Sequence, residues 1–304
     1  MFRHYDDEPE GKNVTMPEQA WLAERFEENR SRLRGVAYRM LGSLSEADDA
    51  VQEAWLRLSS MDRSAIENLG GWLTTVVARV CLDMLRSRSS RREEPLEPNS
   101  PEPAADRMKP TDPEQEAQLA ESVGIALLVV LEKLEPAERL AFVLHDMFAV
   151  PFDEIASIVG RSEAAARQLA SRARRRVHGP AISTSELTSQ RRVVDAFLAA
   201  LRGGDFEGLL AVLDPDVVVR AESAEGVREV RGARAWARGA IAFSRHVRFA
   251  QPALVDGAVG VVLAPRGRLL RALRFRIAGE KIVEAEVVVN PERLRQLDLA
   301  VLND

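Results

Sequence analysis

The chain has 304 residues, with 42 Lys and Arg against 47 Asp and Glu, a formal net charge of −5 and a single cysteine, Cys81. That length suffices for two or three domains with cores of their own. One cysteine excludes an intrachain disulfide. The polar, acidic start MFRHYDDEPEGKN is no secretion signal and no run of about twenty apolar residues exists to span a membrane, so a reducing cytoplasm is the expected compartment.

In chain order, residues 1–17 read as disordered. From Glu18 to Arg92 the pattern is helical, with Trp21, Leu22, Phe26, Leu33, Val36, Tyr38, Leu41, Val51, Trp55, Leu56, Leu58, Trp72, Leu73, Val76, Val77, Val80 and Leu85 as the expected core. Cys81, inside VVARVCLDML, reads as a small core residue. Residues 93–115 carry too many prolines and acids to pack and read as a linker. Helices resume over Glu114–Leu134 and Pro136–Met147, the proline suiting a first helical turn.

Pro151–Val177 carries the most specific local signal. Phe152, Ile155, Ala156, Ile158 and Val159 give a first short helix one apolar face; Gly160 suits a left-handed exit; Ser162 suits an N-cap, with Glu163 in the favoured first turn. In the second helix Ala166, Ala170, Ala173 and Val177 form a narrow inward face, while Arg167, Gln168, Ser171, Arg172, Arg174, Arg175 and Arg176 point elsewhere. Small residues inward and forked donors outward describe a DNA-reading helix-turn-helix. The acidic total is no obstacle, because charge is segregated. Residues 161–178 hold six arginines and one acid, residues 79–92 five and one, whereas residues 93–121 hold nine acids and two bases. Local charge governs phosphate contact over a Debye length of about 8 Å.

A second linker covers 179–188. From 189 the rhythm changes: a helix over 189–202, then the strand-like runs DVVVRAE, HVRFAQPALVD, AVGVVLAP, LLRALRFRI and KIVEAEVVV, with turns at Asp256-Gly257, Arg266-Gly267 and Ala278-Gly279. Further helices are expected near 232–244 and 291–301. This is an α+β unit, read as a curved antiparallel sheet packed on helices.

With these residues in hand, the first 180 positions resemble bacterial sigma factors of the extracytoplasmic-function (ECF) type in the sigma-70 family. AYRMLGSLSEADDAVQEAWLRL (37–58) resembles the helix that binds core polymerase, and GGWLTTVVARVCLDMLRSRSSRR (70–92) resembles the −10 region. The remainder resembles the SnoaL-like, NTF2-type cone that a subset of these factors (the SigJ-like group) carries, on SQRRVVDAFLAALRGGDFEGLLAVLDPDV (189–217) and NPERLRQLD (290–298). The resemblance implies a multidomain fold: an all-α bundle over 18–92, a helix-turn-helix domain over 116–178, and an α+β NTF2-like cone over 189–304. It implies a factor that binds core RNA polymerase and promoter DNA and starts transcription, does no covalent chemistry, and needs no metal or cofactor.

Within that resemblance, Asp48, Asp49, Gln52, Glu53 and Leu56 form the stripe for core polymerase, a mixed surface whose specificity comes from charge complementarity. Asn68, Trp72, Thr75, Arg79, Arg86 and Arg88 are the candidates for the −10 element, where extruded bases need a basic groove and aromatic platforms; Trp72 suits a core position equally well. Ser162, Glu163, Arg167, Gln168, Ser171, Arg172, Arg174 and Arg175 are the candidates for the −35 element. Arg167 and Gln168 are placed for base edges, and Arg174–Arg176 for phosphates. The cone is expected to adjust activity by touching the sigma domains or the polymerase, with a small molecule or an anti-sigma factor as a further partner. The rival from another class is a SnoaL-type isomerase or cyclase with a fused DNA-binding half, whose titratable candidates are Asp216, His246, Asp256, Glu284 and Glu286. A third reading is a repressor that binds DNA without polymerase.

Overall fold

The computed structural model describes residues 16–61, 68–93, 124–179, 184–223, 226–242 and 244–302. The expected disordered start and the linker at 93–115 lie almost wholly outside these residues, and so do the first ten positions of the helix expected from Glu114.

Apolar residues at helical spacing give three helices: α1 (Met16–Leu41), α2 (Leu44–Ser60) and α3 (Leu69–Glu93). Gly42 (φ 73°) leaves α1 in the left-handed conformation and lets α2 fold back. Leu22, Phe26, Leu33, Val36, Tyr38, Val51, Leu58, Leu73, Val77 and Cys81 are buried between them. Trp21 is instead 52 % exposed and Leu56 53 %. Leu22 takes the inward position one step of about 100° from Trp21, and Ala54 and Leu58, two steps or about 200° either side of Leu56, leave it facing outward. Trp55 sits half-buried with its ring 5.0 Å from Phe26.

The next segment holds α4 (Ile125–Glu132), α5 (Pro136–Phe142), α6 (Phe152–Val159) and α7 (Glu163–His178). The helix expected to run evenly to Met147 widens into a π turn over Val143–Met147. Its exit is fixed by Ala149 at φ 55° and by the Val150 N–H donating to Leu144 O (2.9 Å).

The remaining residues form α8 (Thr184–Gly203), α9 (Phe206–Val212), β1 (Leu213–Ser223), β2 (Gly226–Arg231), α10 (Ala233–Ala242), β3 (Ala250–Val255), β4 (Ala258–Leu263), β5 (Arg271–Ala278), β6 (Lys281–Val288), α11 (Pro291–Gln296) and β7 (Leu299–Ala300). They make one seven-stranded sheet in the order β2-β1-β6-β5-β4-β3-β7. The sheet is mixed rather than antiparallel throughout, since β1 pairs in parallel with β6 (Val219 opposite Ala285). Other features depart from the sequence expectation too, and the first residues of the expected run HVRFAQPALVD form a 3-10 turn (Ser244–Phe249) ahead of β3. Helix α8 starts five residues earlier than 189, inside the expected linker. Strand β2 was not anticipated, because GVREVR is polar at both faces and draws its order from pairing with β1. The terminal helix stops at Gln296 instead of continuing to 301. Asp298 N–H donates to Asp256 Oδ1, Asp256 N–H donates to Asp298 O (both 2.8 Å), and Leu299–Ala300 then pair with β3.

Register sorts the two faces of the sheet. Val217, Val219, Phe275, Ala285 and Val287 meet α8 and α10, where Phe197 lies 5.3 Å from Trp236 and 5.4 Å from Phe275. On the opposite face Ala253, Val255, Val262, Ala272 and Val288 join the same apolar core as the helices up to α7. Among the described residues no helix is long and apolar enough to cross a membrane.

Candidate polymerase and DNA interfaces

The recognition helix is built by its caps. Gly160 (φ 69°) ends α6, and the Ser162 hydroxyl accepts the Ala165 N–H at 3.3 Å, satisfying one of the free donors at the start of α7. Ala166, Leu169, Ala170, Ala173 and Val177 are buried. Leu169 therefore belongs to the core.

The polar side chains of α7 divide into two sets. Gln168, Ser171, Arg172 and Arg175 are exposed on one face and, among the described residues, have no side-chain partner. Arg167 is paired with Glu163, and its guanidinium lies 5.0 Å from the ring centre of Phe152, which itself stacks on His145 at 3.8 Å. Arg174 is half-buried against Asp146 (2.5 Å), and Arg176 pairs with the buried Glu138 (2.9 Å). Thus two of the three arginines expected at phosphates hold α7 on α5 and the turn after it, leaving Arg175 in the open.

On α2, Asp49, Gln52 and Leu56 are exposed at spacing i, i+3, i+7, which puts them on one face. Asp48 is instead bonded to Arg34 (2.7 Å), and Glu53 to Arg57 one turn on (2.9 Å). Met61, which sequence reasoning passed over, ends the helix with 45 % of its surface exposed. Its signal was an apolar side chain directly after the polar pair Ser59-Ser60.

The −10 candidates on α3 are mostly engaged. Asn68 caps the helix, its Oδ1 accepting the Gly71 N–H at 3.0 Å. Trp72 and Thr75 are half-buried, and Trp72 packs against the core. Arg79 reaches Ser157 Oγ on α6 at 3.5 Å. Arg88 pairs with Glu46 and donates to Leu41 O at 3.3 Å. Arg86 is exposed, 4.0 Å from Asp83.

Of these contacts only that of Arg79 crosses to the later helices, in a closed arrangement in which α5 and α6 pack on α3. Arg139 of α5 is 4 % exposed and its Nε donates to Arg39 O (3.0 Å), so two guanidiniums, Arg139 and Arg88, meet the carbonyl end of α1. That end carries the negative pole of the helix dipole and favours a cation. Burial still pulls the Arg139 pKa down to about 10. The sheet is fastened to the same body. Gln251 Oε1 accepts the Ala126 N–H (3.1 Å), Val301 N–H donates to Val177 O (2.7 Å), and Lys133 Nζ donates to the C-terminal carbonyls of α11, Leu294 (3.1 Å), Arg295 (3.3 Å) and Leu297. Burial lowers the Lys133 pKa against the pull of Asp256, Asp298 and Glu132.

The titratable candidates of the cone do not converge. Glu284 and Glu286 lie on the face away from the Phe197–Trp236–Phe275 cluster, in a lattice of ion pairs: Glu284 with Arg220 and Arg276 (2.9 Å), Glu286 with Arg274 (2.8 Å) and Arg293 (3.5 Å). Hydrogen bonding from Arg276 first, and the charge of Arg220 and Arg276, hold Glu284 below the usual carboxylate range, the wrong direction for a general acid. Asp256 occupies the β3–β4 turn at φ 48°, and Asp216 is exposed. The His246 side chain lies outside the described residues. A cavity of about 640 Å³ opens beside this lattice, lined by Arg220, Glu222, Arg274, Arg276 and Glu286 together with Glu186 and Gln190 of α8.

Comparison with known proteins agrees with this layout. The family model described as Sigma-70 region 2 matches residues 25–91, and that described as Sigma-70, region 4 matches residues 125–177. The ECF RNA polymerase sigma factor SigJ of Mycobacterium tuberculosis is 41 % identical over 286 residues, covering 88 % of this chain and 91 % of that protein. A probable ECF RNA polymerase sigma factor SigI of the same species is 36 % identical over 286 residues, covering 91 % and 94 %. The crystal structure of M. tuberculosis SigJ aligns with 89 % of this chain and 97 % of its own, at 34 % identity and a TM-score of 0.43. The chain belongs to the ECF RNA polymerase sigma factors of the sigma-70 family.

Proposed function

We propose that this chain is a promoter-specificity subunit: it binds core RNA polymerase, recognises −35 and −10 DNA and directs transcription initiation from the cytoplasm. The observation that carries the DNA-reading role is the capped α7, whose exposed face offers Gln168, Ser171, Arg172 and Arg175 with no intramolecular partner among the described residues. Glutamine matches adenine and arginine matches guanine or phosphate, so this face supplies both base readout and positioning. Asp49, Gln52 and Leu56 on α2 form the polymerase-docking patch, with Met61 beside them. Residues 18–92 act as the polymerase and −10 domain, 116–178 as the −35 domain, and 189–304 as a regulatory domain. The cone touches α4 and α7 directly, so any ligand or partner that shifts it shifts the −35 domain with it. Its carboxylates are committed to arginine lattices and turns, which favours regulation over acid–base catalysis.

The test is run-off transcription by purified core polymerase over a promoter library. Adding the full chain should yield discrete promoter-dependent transcripts. Asp49→Lys with Gln52→Lys should abolish co-elution with core polymerase while leaving the thermal midpoint unchanged, because both side chains are exposed. Normal co-elution of that variant removes this patch from the reading. Repression without any polymerase-dependent transcript would favour a one-component repressor.

A further inference from the structure

The arginines of the sheet domain fall into two groups that the structure treats differently. On one face of β1, β6 and β5, every described arginine of the lattice has a carboxylate: Arg220 with Glu229 and Glu284, Arg274 with Glu286, Arg276 with Glu284, and Arg293 with Glu222 and Glu286. The other group lies between 226 and 248, a stretch with six arginines and one acid, the same balance as the recognition-helix segment 161–178. Its single acid, Glu229, is already shared by Arg231 (2.7 Å) and Arg220 (3.2 Å). Arg228, Arg234, Arg238 and Arg248 are exposed, and among the described residues none of the four has a carboxylate partner.

Geometry collects three of them on one side. Along β2 side chains alternate, so Arg228 shares a face with Val230, and Val230 packs on the core that lies under α10. On α10 the inward residues are Ala233, Trp236 and Ala237, with Trp236 stacked on Phe197. Arg234 and Arg238, one turn apart, therefore face outward. The residues between and beyond them on that face are Ala235, Gly239 and Ala242, all exposed, with open space around Gly239. Unneutralised guanidiniums separated by small side chains make a surface that a polyanionic backbone can approach closely. A domain that neutralises its arginines on one face leaves these without a described carboxylate on another, Arg234 standing 5.9 Å from the ring centre of Phe206.

We infer that β2 and α10 form a second, sequence-independent duplex-DNA contact, in which Arg228, Arg234 and Arg238 hold phosphates. Duplex DNA is the occupant because α7 of the same chain already engages it on the reading above, on which this inference rests. The placement suits one continuous duplex. β2 and β7 are the opposite edges of the seven-stranded sheet, and β7 abuts the end of α7 through the Val301–Val177 hydrogen bond. Six inter-strand spacings of about 4.8 Å put the stripe roughly 30 Å from that end, comparable to one turn of B-form DNA, about 34 Å.

The experiment is fluorescence anisotropy of the full-length chain with a 40-bp duplex over a salt series. Three variants are compared: Arg234→Gln with Arg238→Gln, Arg274→Gln with Arg276→Gln, and Gln168→Ala. The two double variants remove the same net charge from the same domain, one from the bare stripe and one from the paired lattice. Losing two phosphate contacts should lower the salt slope by about 2 and weaken binding about tenfold at 0.1 M salt, whatever the sequence. The lattice variant should stay within about twofold of the parent chain, because its arginines are already neutralised. Equal weakening by both doubles, no weakening by the stripe double, or tighter binding of single-stranded RNA than of duplex through the same residues would each overturn the inference. Gln168→Ala reports separately on α7: loss of sequence preference supports the recognition reading, and an unchanged preference refutes it without altering the salt-slope result.

Discussion

Helices α3 and α7 both carry arginines expected at promoter DNA, and they present them in opposite ways. On α7, Gln168, Ser171, Arg172 and Arg175 are exposed and, among the described residues, have no side-chain partner. On α3, Asn68 caps its own helix, Arg79 touches Ser157 of α6, and Arg88 is held by Glu46 and Leu41 O. Asn68 and Arg88 are held within the α1–α3 bundle itself, and Arg79 alone is met by a later helix. α5 and α6 lie against α3, whereas among the described residues the outward face of α7 has no helix over it. In this conformation α7 presents its polar face to solvent, and Arg79 and Arg88 of α3 are engaged within the chain.

That contrast requires opening. Elements centred about 25 base pairs apart span roughly 85 Å of duplex at about 3.4 Å per pair. Two domains of some 60 residues in contact have centres roughly 25–30 Å apart. On the function proposed above, a chain whose two DNA-reading units share one core cannot lie on both elements, so the contact between α3 and α5–α6 has to part when both are bound.

The largest effect should come from the pin at the carbonyl end of α1. Arg139→Glu places a carboxylate against Arg39 O in a buried site, at a cost on the order of 3–5 kcal/mol. Small-angle scattering of the free chain should then show a larger radius of gyration with helical circular dichroism retained. Arg139→Lys, which keeps the charge, should lie between. An unchanged radius for Arg139→Glu with a native melting curve would mean that Arg139 does not hold the closed form.

A smaller effect separates two neighbours on α7. Arg175→Ala should reduce the salt slope of DNA binding by about 0.9 with stability unchanged, as expected for one lost phosphate contact. Arg174→Ala should leave the slope alone and lower stability by about 0.2–1 kcal/mol, the range for a partly exposed pair such as Arg174–Asp146. The reverse pattern would exchange their roles.

These two residues also show what sequence can carry. The helix-turn-helix was legible because its signals are local: Gly160 exits a helix, Ser162 caps the next, and alanines every three or four residues mark the inward face. The partners of Arg174 and Arg176 were not, because Asp146 and Glu138 lie 28 and 38 residues earlier and only tertiary packing brings them together. The same holds for Arg139, which periodicity cannot distinguish from a solvated arginine. Trp21 was read as core since aromatic residues usually are, yet Leu22 and Phe26 already fill the inward stripe. In the sheet domain the alternating runs β3 to β6 were visible, whereas β2 and β7 exist through pairing with β1 and β3 and left little pattern of their own.

On the function proposed above, this sigma factor holds α3 under α5 and α6 until promoter engagement separates them. Dyes at Asp83→Cys on α3 and Glu154→Cys on α6 measure that separation directly. Both sites are exposed, and the native Cys81 stays unlabelled because burial pushes its thiol up to about 12. Energy transfer should be high in the free chain and should collapse when the labelled chain, bound to core polymerase, occupies a promoter. Undiminished transfer in a complex that is actively making transcript would mean that α3 and α6 stay together on the promoter.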